Sequence, residues 1–292
     1  MPRLNPIYPF DWDGVDDFQY SKDAQGIPQV WIDERWGLQY NPITIAQYGL
    51  HHLRLHFKNK DASALQIAQT AGDWLLQNAR PWKHDALAWI FQYDLAFYGP
   101  RAPWISAMAQ GEAISLLLRL HEIQPDPRIL DLVRRAVIPF QHEVKAGGVR
   151  SSFPDGSPIF EEFPTDPPSQ VLNGHIFSLI GLHDYLAFFP DDPIQNLWQQ
   201  AISGLKRNLY RYDLGYWNLY DLHPTHRLAS PMYVLVHIRL LRILSDLTGS
   251  AFFAERADKW RGYLTSRWCR ARWLVGKTIE KIRLRGYRQH QS

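Results

Sequence analysis

The chain has 292 residues, of which 46% are hydrophobic and 21% charged, a composition typical of a globular protein and unlike that of a disordered chain. No apolar run approaches the roughly 20 residues that a membrane-spanning helix needs, and the single cysteine, Cys269, excludes an internal disulfide and cysteine-rich zinc modules. The first residues lack the pattern of a secretion signal, so we expect a cytoplasmic protein.

The formal charge of +3 is unevenly distributed. Residues 261–292 carry nine Lys and Arg and one acid, a net charge of +8, which leaves −5 on residues 1–260. An acidic body is not typical of nucleic-acid binders, so no nucleic-acid partner is expected. Apolar residues interleave with arginines in a basic tail over 266–292: Trp268, Leu274, Ile279, Ile282 and Leu284.

Four interpretations of this tail remain open. Residues 266–289 could form an amphipathic helix on an anionic membrane, which would place the protein peripherally at the inner membrane surface. The tail could also bind an acidic polysaccharide, contact the acidic body of a second subunit in a homodimer, or pack as an ordinary final helix.

Residues 1–38 are rich in Pro, Asp, Gly and Trp, and predict an irregular N-terminal arm with at most one short strand pair, near Gln29–Asp33. Asn41-Pro42 is typical of a helix start. Proline-rich breaks then separate further predicted helices over 62–79, 103–122, 127–145, 169–188, 191–209, 229–247, 250–265 and 269–286. Strand-like alternation is confined to two candidate hairpins, near 148–163 and 212–222. An all-α domain over 39–265 follows.

The predicted helices alternate in character. Helices 103–122 and 169–188 are apolar almost all round and should be buried, whereas 127–138 and 194–209 each have one apolar stripe. Buried helices that alternate with half-exposed ones favour an α/α barrel, in which an outer ring of helices surrounds an inner ring. Such a barrel leaves a cavity at one end, where polar side chains can meet a ligand.

Several short strings are unusual for a plain helical core: NPITIAQYGL (41–50), SAMAQG (106–111), EE-x-PT (161–165), VLNG and SLIGL within 171–182, YDL (220–222), Tyr233 with His237, and W-x-x-YL (260–264). In this order they resemble the D-glucuronyl C5-epimerases, which invert C5 of glucuronic acid residues in heparan-type polysaccharides. The resemblance covers about residues 38–265.

The resemblance implies an α/α barrel isomerase that converts D-glucuronate, or a related uronic acid, to L-iduronate in an acidic, heparosan-like polysaccharide, without a cofactor or metal and often as a dimer. Such a reaction removes a proton beside a carboxylate and returns one to the opposite face, so two acid–base groups must flank the sugar. Motif matching assigns these roles to Glu162 and Tyr233, with Tyr220 as a third catalytic residue. It also implies substrate contacts from Trp104, Gln110, Glu161, Phe163, Asn173, His223 and His237.

The chain departs from the family pattern in several places. Animal members carry a β-rich domain after the IAQYGL segment, whereas only residues 51–63 separate that segment from the next helix here. Phe163 replaces a tyrosine, and His223 replaces an arginine. If His223 supplies the missing cation, turnover should weaken above neutral pH, because histidine titrates near 6.5.

Plainer roles compete with these assignments. Paired acids before a proline turn usually lie on the solvated surface, and buried tyrosines often only pack in a core. Asn173 could be a helix cap, Gln110 could bond a neighbouring helix, and His237 could be a packing residue.

Three other functions also remain open. A polysaccharide lyase would share the carbanion but end in β-elimination. A glycoside hydrolase would use two carboxylates, such as Glu162 and Asp221. A non-catalytic relative would only bind a glycan.

Overall fold

A computed structural model describes residues 3–289, with side chains described for residues 3–284. This part of the chain contains nine α-helices: α1 (Pro42–Asn59), α2 (Ala62–Asn78), α3 (Ala107–Ile123), α4 (Pro127–Ala136), α5 (Leu172–Phe188), α6 (Asp192–Asn208), α7 (Pro231–Thr248), α8 (Ala251–Thr265) and α9 (Arg267–Gln289). Within residues 3–289, none of these helices is sufficiently long and apolar to span a bilayer.

Two predicted helices were too long. The helix predicted over 127–145 ends at Ala136, because Pro139 cannot continue an α-helix, and short 3₁₀ turns follow. The helix predicted over 103–122 begins only at Ala107, where the Ser106 hydroxyl caps it by accepting from the Ala109 N–H.

The helices form the expected toroid of inner and outer pairs. Helices α1, α3, α5 and α7 pack side by side as the inner set, and α2, α4, α6 and α8 each pack outside the inner helix that precedes them in the chain. Every residue from Ala107 to Leu120 in α3 is buried, whereas α4 and α6 bury one stripe each. The predicted alternation of buried and half-exposed helices is confirmed.

The N-terminal arm is part of the core. Tyr8, Phe10, Trp12 and Phe18 are buried, and Phe10 packs edge-on against Phe177 of α5 with ring centroids 5.0 Å apart. The arm therefore inserts its aromatic side chains among the inner helices, rather than lying as a peripheral extension.

Polar contacts tie the arm to both α7 and α1. Arg239 of α7 donates to the carbonyl oxygens of Asp11 and Asp13, and Arg54 of α1 forms an ion pair with the Asp11 carboxylate. The arm thus bridges the first and last inner helices.

The strands are short and lie at the loops. The arm forms a three-stranded antiparallel sheet, β1 (Ser21–Lys22), β2 (Pro28–Trp31) and β3 (Leu38–Tyr40), rather than a single strand pair. The other strands form antiparallel pairs: β4 (Arg80–Pro81) with β5 (Leu87–Ala88), β6 (Ile90–Phe91) with β7 (Trp104–Ile105), and β8 (Arg150–Ser152) with β9 (Pro158–Phe160).

The last of these pairs confirms the hairpin predicted near 148–163. The hairpin predicted near 212–222 is replaced by isolated bridges that join Asp213 to Asn218 and Leu219 to Leu228.

Helices α3 and α5 cross in backbone contact. A Cβ atom placed on Gly181 would lie 2.3 Å from the Cα of Gly111, and one placed on Gly111 would lie 2.9 Å from the Cα of Ser178. The glycines of the SAMAQG and SLIGL strings are therefore required for this close approach. Beside the crossing, Arg119 and Asp184 form a buried ion pair with an N–O distance of 2.5 Å.

Candidate active site

A cavity of about 190 Å³, here called the site cavity, lies between the arm and the inner helices. Its wall is apolar where Phe10, Trp12 and Phe177 face it. Its polar lining consists of Asp16, Tyr20, Gln47, Glu162, Asn173 and Tyr233. Three residues assigned from sequence motifs are thus brought to one cavity: Glu162, Asn173 and Tyr233.

Glu162 follows the β8–β9 hairpin, and its neighbour Glu161 fixes the backbone there. The Glu161 N–H donates to the carbonyl oxygen of Val149, and the Glu161 carbonyl accepts from the N–H of Ala107 at the start of α3. Gly174 gives Glu162 room on the α5 side, since a Cβ there would lie 2.6 Å from the Glu162 Oε2. The EE-x-PT and VLNG strings therefore act together to place one carboxyl group.

The Glu162 carboxyl group is buried and has few partners. Burial raises its pKa to about 8, and the nearby Arg227 guanidinium only partly opposes that shift. The Asn173 amide donates to the Glu162 Oε2 at 3.4 Å, while the Asn173 Oδ1 has no hydrogen-bond partner among the described residues. Asn173 is not the helix cap, because Val171 occupies that position. A carboxyl group with this pKa can exchange a proton near neutral pH.

Tyr233 reaches the cavity from the first turn of α7, where its N–H donates to the capping Ser230 hydroxyl at 3.2 Å. Tyr220 lies against it with the ring centroids 4.6 Å apart. Burial raises the pKa of both tyrosines, and the charge of Glu162 raises them further. Glu162, Tyr233 and Tyr220 are therefore close enough for their charges to interact.

Arg227 is a cation of this region that no sequence motif indicated. Its guanidinium Nε is 3.0 Å from the buried Asp221 Oδ2, and it also donates to the Tyr98 hydroxyl. Its Cζ atom lies 4.7 Å from the centre of the Tyr220 ring. This positive charge lowers the pKa of Glu162, Tyr220 and Tyr233.

His223 bonds within its own loop. Its ring Nδ1 bonds the Thr225 hydroxyl at 2.8 Å, and burial lowers its pKa. Arg227, four residues later in the same loop, carries a permanent charge, so it is an alternative to His223 for the role of the family arginine.

A second buried carboxyl group stands behind the cavity. The Glu112 Oε1 accepts from the amide of the cavity residue Gln47 at 2.9 Å, and the Glu112 Oε2 has no partner among the described residues. Burial raises the pKa of Glu112 well above its usual value, and the charge of Glu162 adds to the shift. No sequence motif singles out Glu112, which lies among the buried residues of α3.

Two residues assigned as substrate contacts are used inside the protein. Gln110 accepts from the Trp89 N–H and donates to the carbonyl oxygens of Leu87 and Ala136. The Glu161 carboxylate accepts from Ser151, Ser169 and the Gln170 N–H, so it is buried rather than on the solvated surface. Neither side chain lines the site cavity.

Three aromatic side chains assigned as substrate contacts also lie outside the cavity lining. The Trp104 indole donates to the Tyr93 carbonyl and stacks on Phe91, and Phe163 stacks on Tyr98 with centroids 5.0 Å apart. His237 is buried behind Tyr220, and burial lowers its pKa to about 3. None of the three side chains lines the site cavity.

The described side chains include no group of three or more His, Cys, Asp or Glu that could hold a metal ion.

Comparison with known proteins shows the family of the chain. The profile of the family described as "D-glucuronyl C5-epimerase C-terminus" matches residues 83–262. The D-glucuronyl C5-epimerase of Caenorhabditis elegans is 32% identical over 214 residues, which cover 66% of this chain but only 34% of that relative. The chain therefore belongs to the D-glucuronyl C5-epimerase family and corresponds to its C-terminal region.

Proposed function

We propose that the chain is a uronate C5-epimerase that converts D-glucuronate to L-iduronate within an acidic polysaccharide. One observation carries the proposal: Glu162, with a pKa raised to about 8, and Tyr233, with a raised pKa, line the same small cavity. The cavity volume of about 190 Å³ is below the ~300–1,000 Å³ of pockets for drug-sized ligands, which suits one sugar ring.

The proposed reaction needs one base and one acid. Ionised Glu162 removes the C5 proton and becomes a neutral acid, and the electron pair left on C5 delocalises into the adjacent carboxylate. Tyr233 then donates its hydroxyl proton to the other face of C5 and becomes a phenolate. Proton exchange with solvent resets both groups, so the net change is inversion at C5.

Charge stabilisation is the main demand of this chemistry, because the intermediate carries an additional negative charge beside a carboxylate. The Arg227 guanidinium contributes to this stabilisation, since its positive charge already lowers the pKa of Glu162, Tyr220 and Tyr233. The unpartnered Oδ1 of Asn173 offers an acceptor for a sugar hydroxyl. The buried Tyr220 packs edge-on against Tyr233 and stabilises its orientation.

A hydrolase that uses Glu162 and Asp221 has less support. Asp221 is fully buried, forms an ion pair with Arg227 and accepts from Tyr98. A glycosidase acid must reach the leaving oxygen, which this carboxylate does not.

Incubation of the protein with heparosan in deuterated water tests the proposal. We expect deuterium at C5 and L-iduronate signals by NMR, with chain length unchanged. New reducing ends would instead indicate a hydrolase, and ultraviolet absorbance from an unsaturated uronate would indicate a lyase.

A further inference from the structure

Helix α9 has two faces with different environments. The inner face packs on the loop that carries Arg227: the Trp273 indole donates to the Ala229 carbonyl at 3.0 Å, and Glu280 accepts from the Leu228 N–H at 2.7 Å. The inner face therefore contacts the loop that bears Arg227 directly.

The outer face carries a stripe of large apolar side chains in solvent. Trp268, Val275, Ile279 and Ile282 are 72%, 62%, 61% and 67% exposed. Their spacing of seven, four and three residues aligns them along one side of a helix, opposite the side that includes Trp273. This row of four residues is called the outer stripe below.

Exposed cations lie along the same helix. By the 3.6-residue turn, Arg267, Arg272 and Arg283 lie within about 90° of the outer stripe, whereas Arg270 and Lys281 lie on another side. Arg272 also contacts the Tyr216 ring, and Arg283 donates to the carbonyl oxygens of Thr225 and His226. The exposed basic side chains of α9 within residues 267–284 are Arg267, Arg270, Arg272, Lys281 and Arg283. The one acid in that span, Glu280, is buried on the inner face and accepts from Lys277 as well as from the Leu228 N–H. The solvent-facing side of this part of α9 thus combines apolar and positive groups with no negative one.

We propose that the outer stripe and its flanking cations dock the protein on an anionic lipid bilayer. A helix that lies in the bilayer interface buries its apolar side among acyl chains while its Lys and Arg meet anionic headgroups. This arrangement removes all four residues of the outer stripe from water and neutralises the cations beside them.

Two other partners, an acidic polysaccharide and a second copy of the chain, match fewer of these features. An acidic polysaccharide would neutralise the cations but leave the outer stripe in water. A second copy of the chain could neutralise the cations only with its acidic body, because two α9 helices joined about a two-fold axis would bring the same row of cations close together, which costs electrostatic energy.

Point substitutions are needed for the test, because truncation of α9 would also remove Trp273 and Glu280 from the Arg227 loop. The informative variant is Trp268→Ser/Ile279→Ser/Ile282→Ser. The matched control is Trp31→Ser/Tyr210→Ser, which removes two side chains that are 60% and 70% exposed elsewhere on the surface. Circular dichroism and thermal unfolding of both variants report whether each one folds.

The experiment is co-sedimentation of the full chain with phosphatidylcholine vesicles, with and without phosphatidylglycerol. We expect the chain to bind only the anionic vesicles, and this binding to weaken as the salt concentration rises. Binding should be reduced at least about tenfold in the outer-stripe variant but not in the control. Equal binding by the outer-stripe variant and the unmodified chain, or equal sedimentation with both vesicle types, would overturn the proposal. Absence of vesicle binding would overturn it too, if the outer stripe is instead needed for a dimer in analytical ultracentrifugation. The same holds if the outer stripe is instead needed for retention on immobilised heparosan.

Discussion

Gly174 lies directly against the side chain of Glu162, so that an added Cβ would be 2.5 Å from the Glu162 Cβ and 2.6 Å from its Oε2. Gly174→Ala must therefore push the carboxyl group away from its position. We expect kcat to fall by about 10²-fold, since a displacement of about 1 Å at a catalytic group has such an effect. Steady-state epimerisation assays measure this.

Gly262→Ala is the matched control for that substitution. Gly262 also lies in a helix, but nothing stands within 4 Å of an added Cβ. This variant should keep full activity and gain about 0.5–1 kcal/mol of stability from helix propensity. Equal activity in the Gly174 and Gly262 variants would show that Gly174 does not hold Glu162 in place.

Glu162→Gln should stabilise the protein at alkaline pH. The carboxyl group has a pKa of about 8 in the folded state and 4.5 as its reference value. Between these values the folded state holds a proton that the unfolded state has lost, so this group makes stability fall as pH rises. Glutamine does not titrate, so the variant lacks this penalty. Its unfolding free energy relative to the unmodified chain should rise by up to about 5 kcal/mol from pH ~4.5 to pH ~8.5.

Urea unfolding at acidic and alkaline pH measures that difference, with Glu161→Gln as the comparison. Burial raises the pKa of Glu161 too, but its carboxylate accepts from Ser151, Ser169 and Gln170, so its replacement should also cost about 1–3 kcal/mol by weakening those bonds. A Glu162→Gln variant whose stability relative to the unmodified chain is independent of pH would contradict the raised pKa of Glu162.

The pH profile of kcat/KM should rise toward about pH 8, because the proposed base is the ionised Glu162. His223→Gln should leave the inflection unchanged, whereas Arg227→Met should move it to higher pH by removing the cation that lowers the Glu162 pKa. Arg227→Lys, which retains the charge, should keep the inflection near its original position. A profile that declines above neutral pH and depends on His223 would refute this assignment.

The buried pair of Arg119 and Asp184 ties α3 to α5. Arg119→Met leaves the Asp184 charge without its partner and should cost about 3–5 kcal/mol of unfolding free energy. The double variant Arg119→Met/Asp184→Leu should recover much of that loss, because no buried charge remains. Chemical denaturation of the three proteins checks this, and additive losses in the double variant would argue against it.

The toroid was predictable because its signals are local. Helices that are apolar all round must be buried, and Pro42, Pro127 and Pro231 mark helix starts at the N1 position. The length of the helix predicted over 127–145 was wrong, because the apolar spacing continues into residues that Pro139 forces out of the α-helix.

The site was only partly predictable from motifs. Motif matching identified Glu162, Asn173 and Tyr233, which line one cavity, but it could not find Arg227, whose position depends on the bridge between Leu219 and Leu228. Likewise, nothing in the pattern of the arm indicated that Tyr20 would reach the cavity.

The most direct test of the central claim, that Glu162 and Tyr233 serve opposite faces of C5, is C5–H exchange in deuterated water. The substrates are polymers of D-glucuronate and of L-iduronate, and the proteins are the unmodified chain, Glu162→Gln and Tyr233→Phe. We predict that both variants lose inversion, and that Tyr233→Phe still exchanges the C5 proton of the D-glucuronate polymer while Glu162→Gln does not. Inversion at the unmodified rate by either variant would contradict the account.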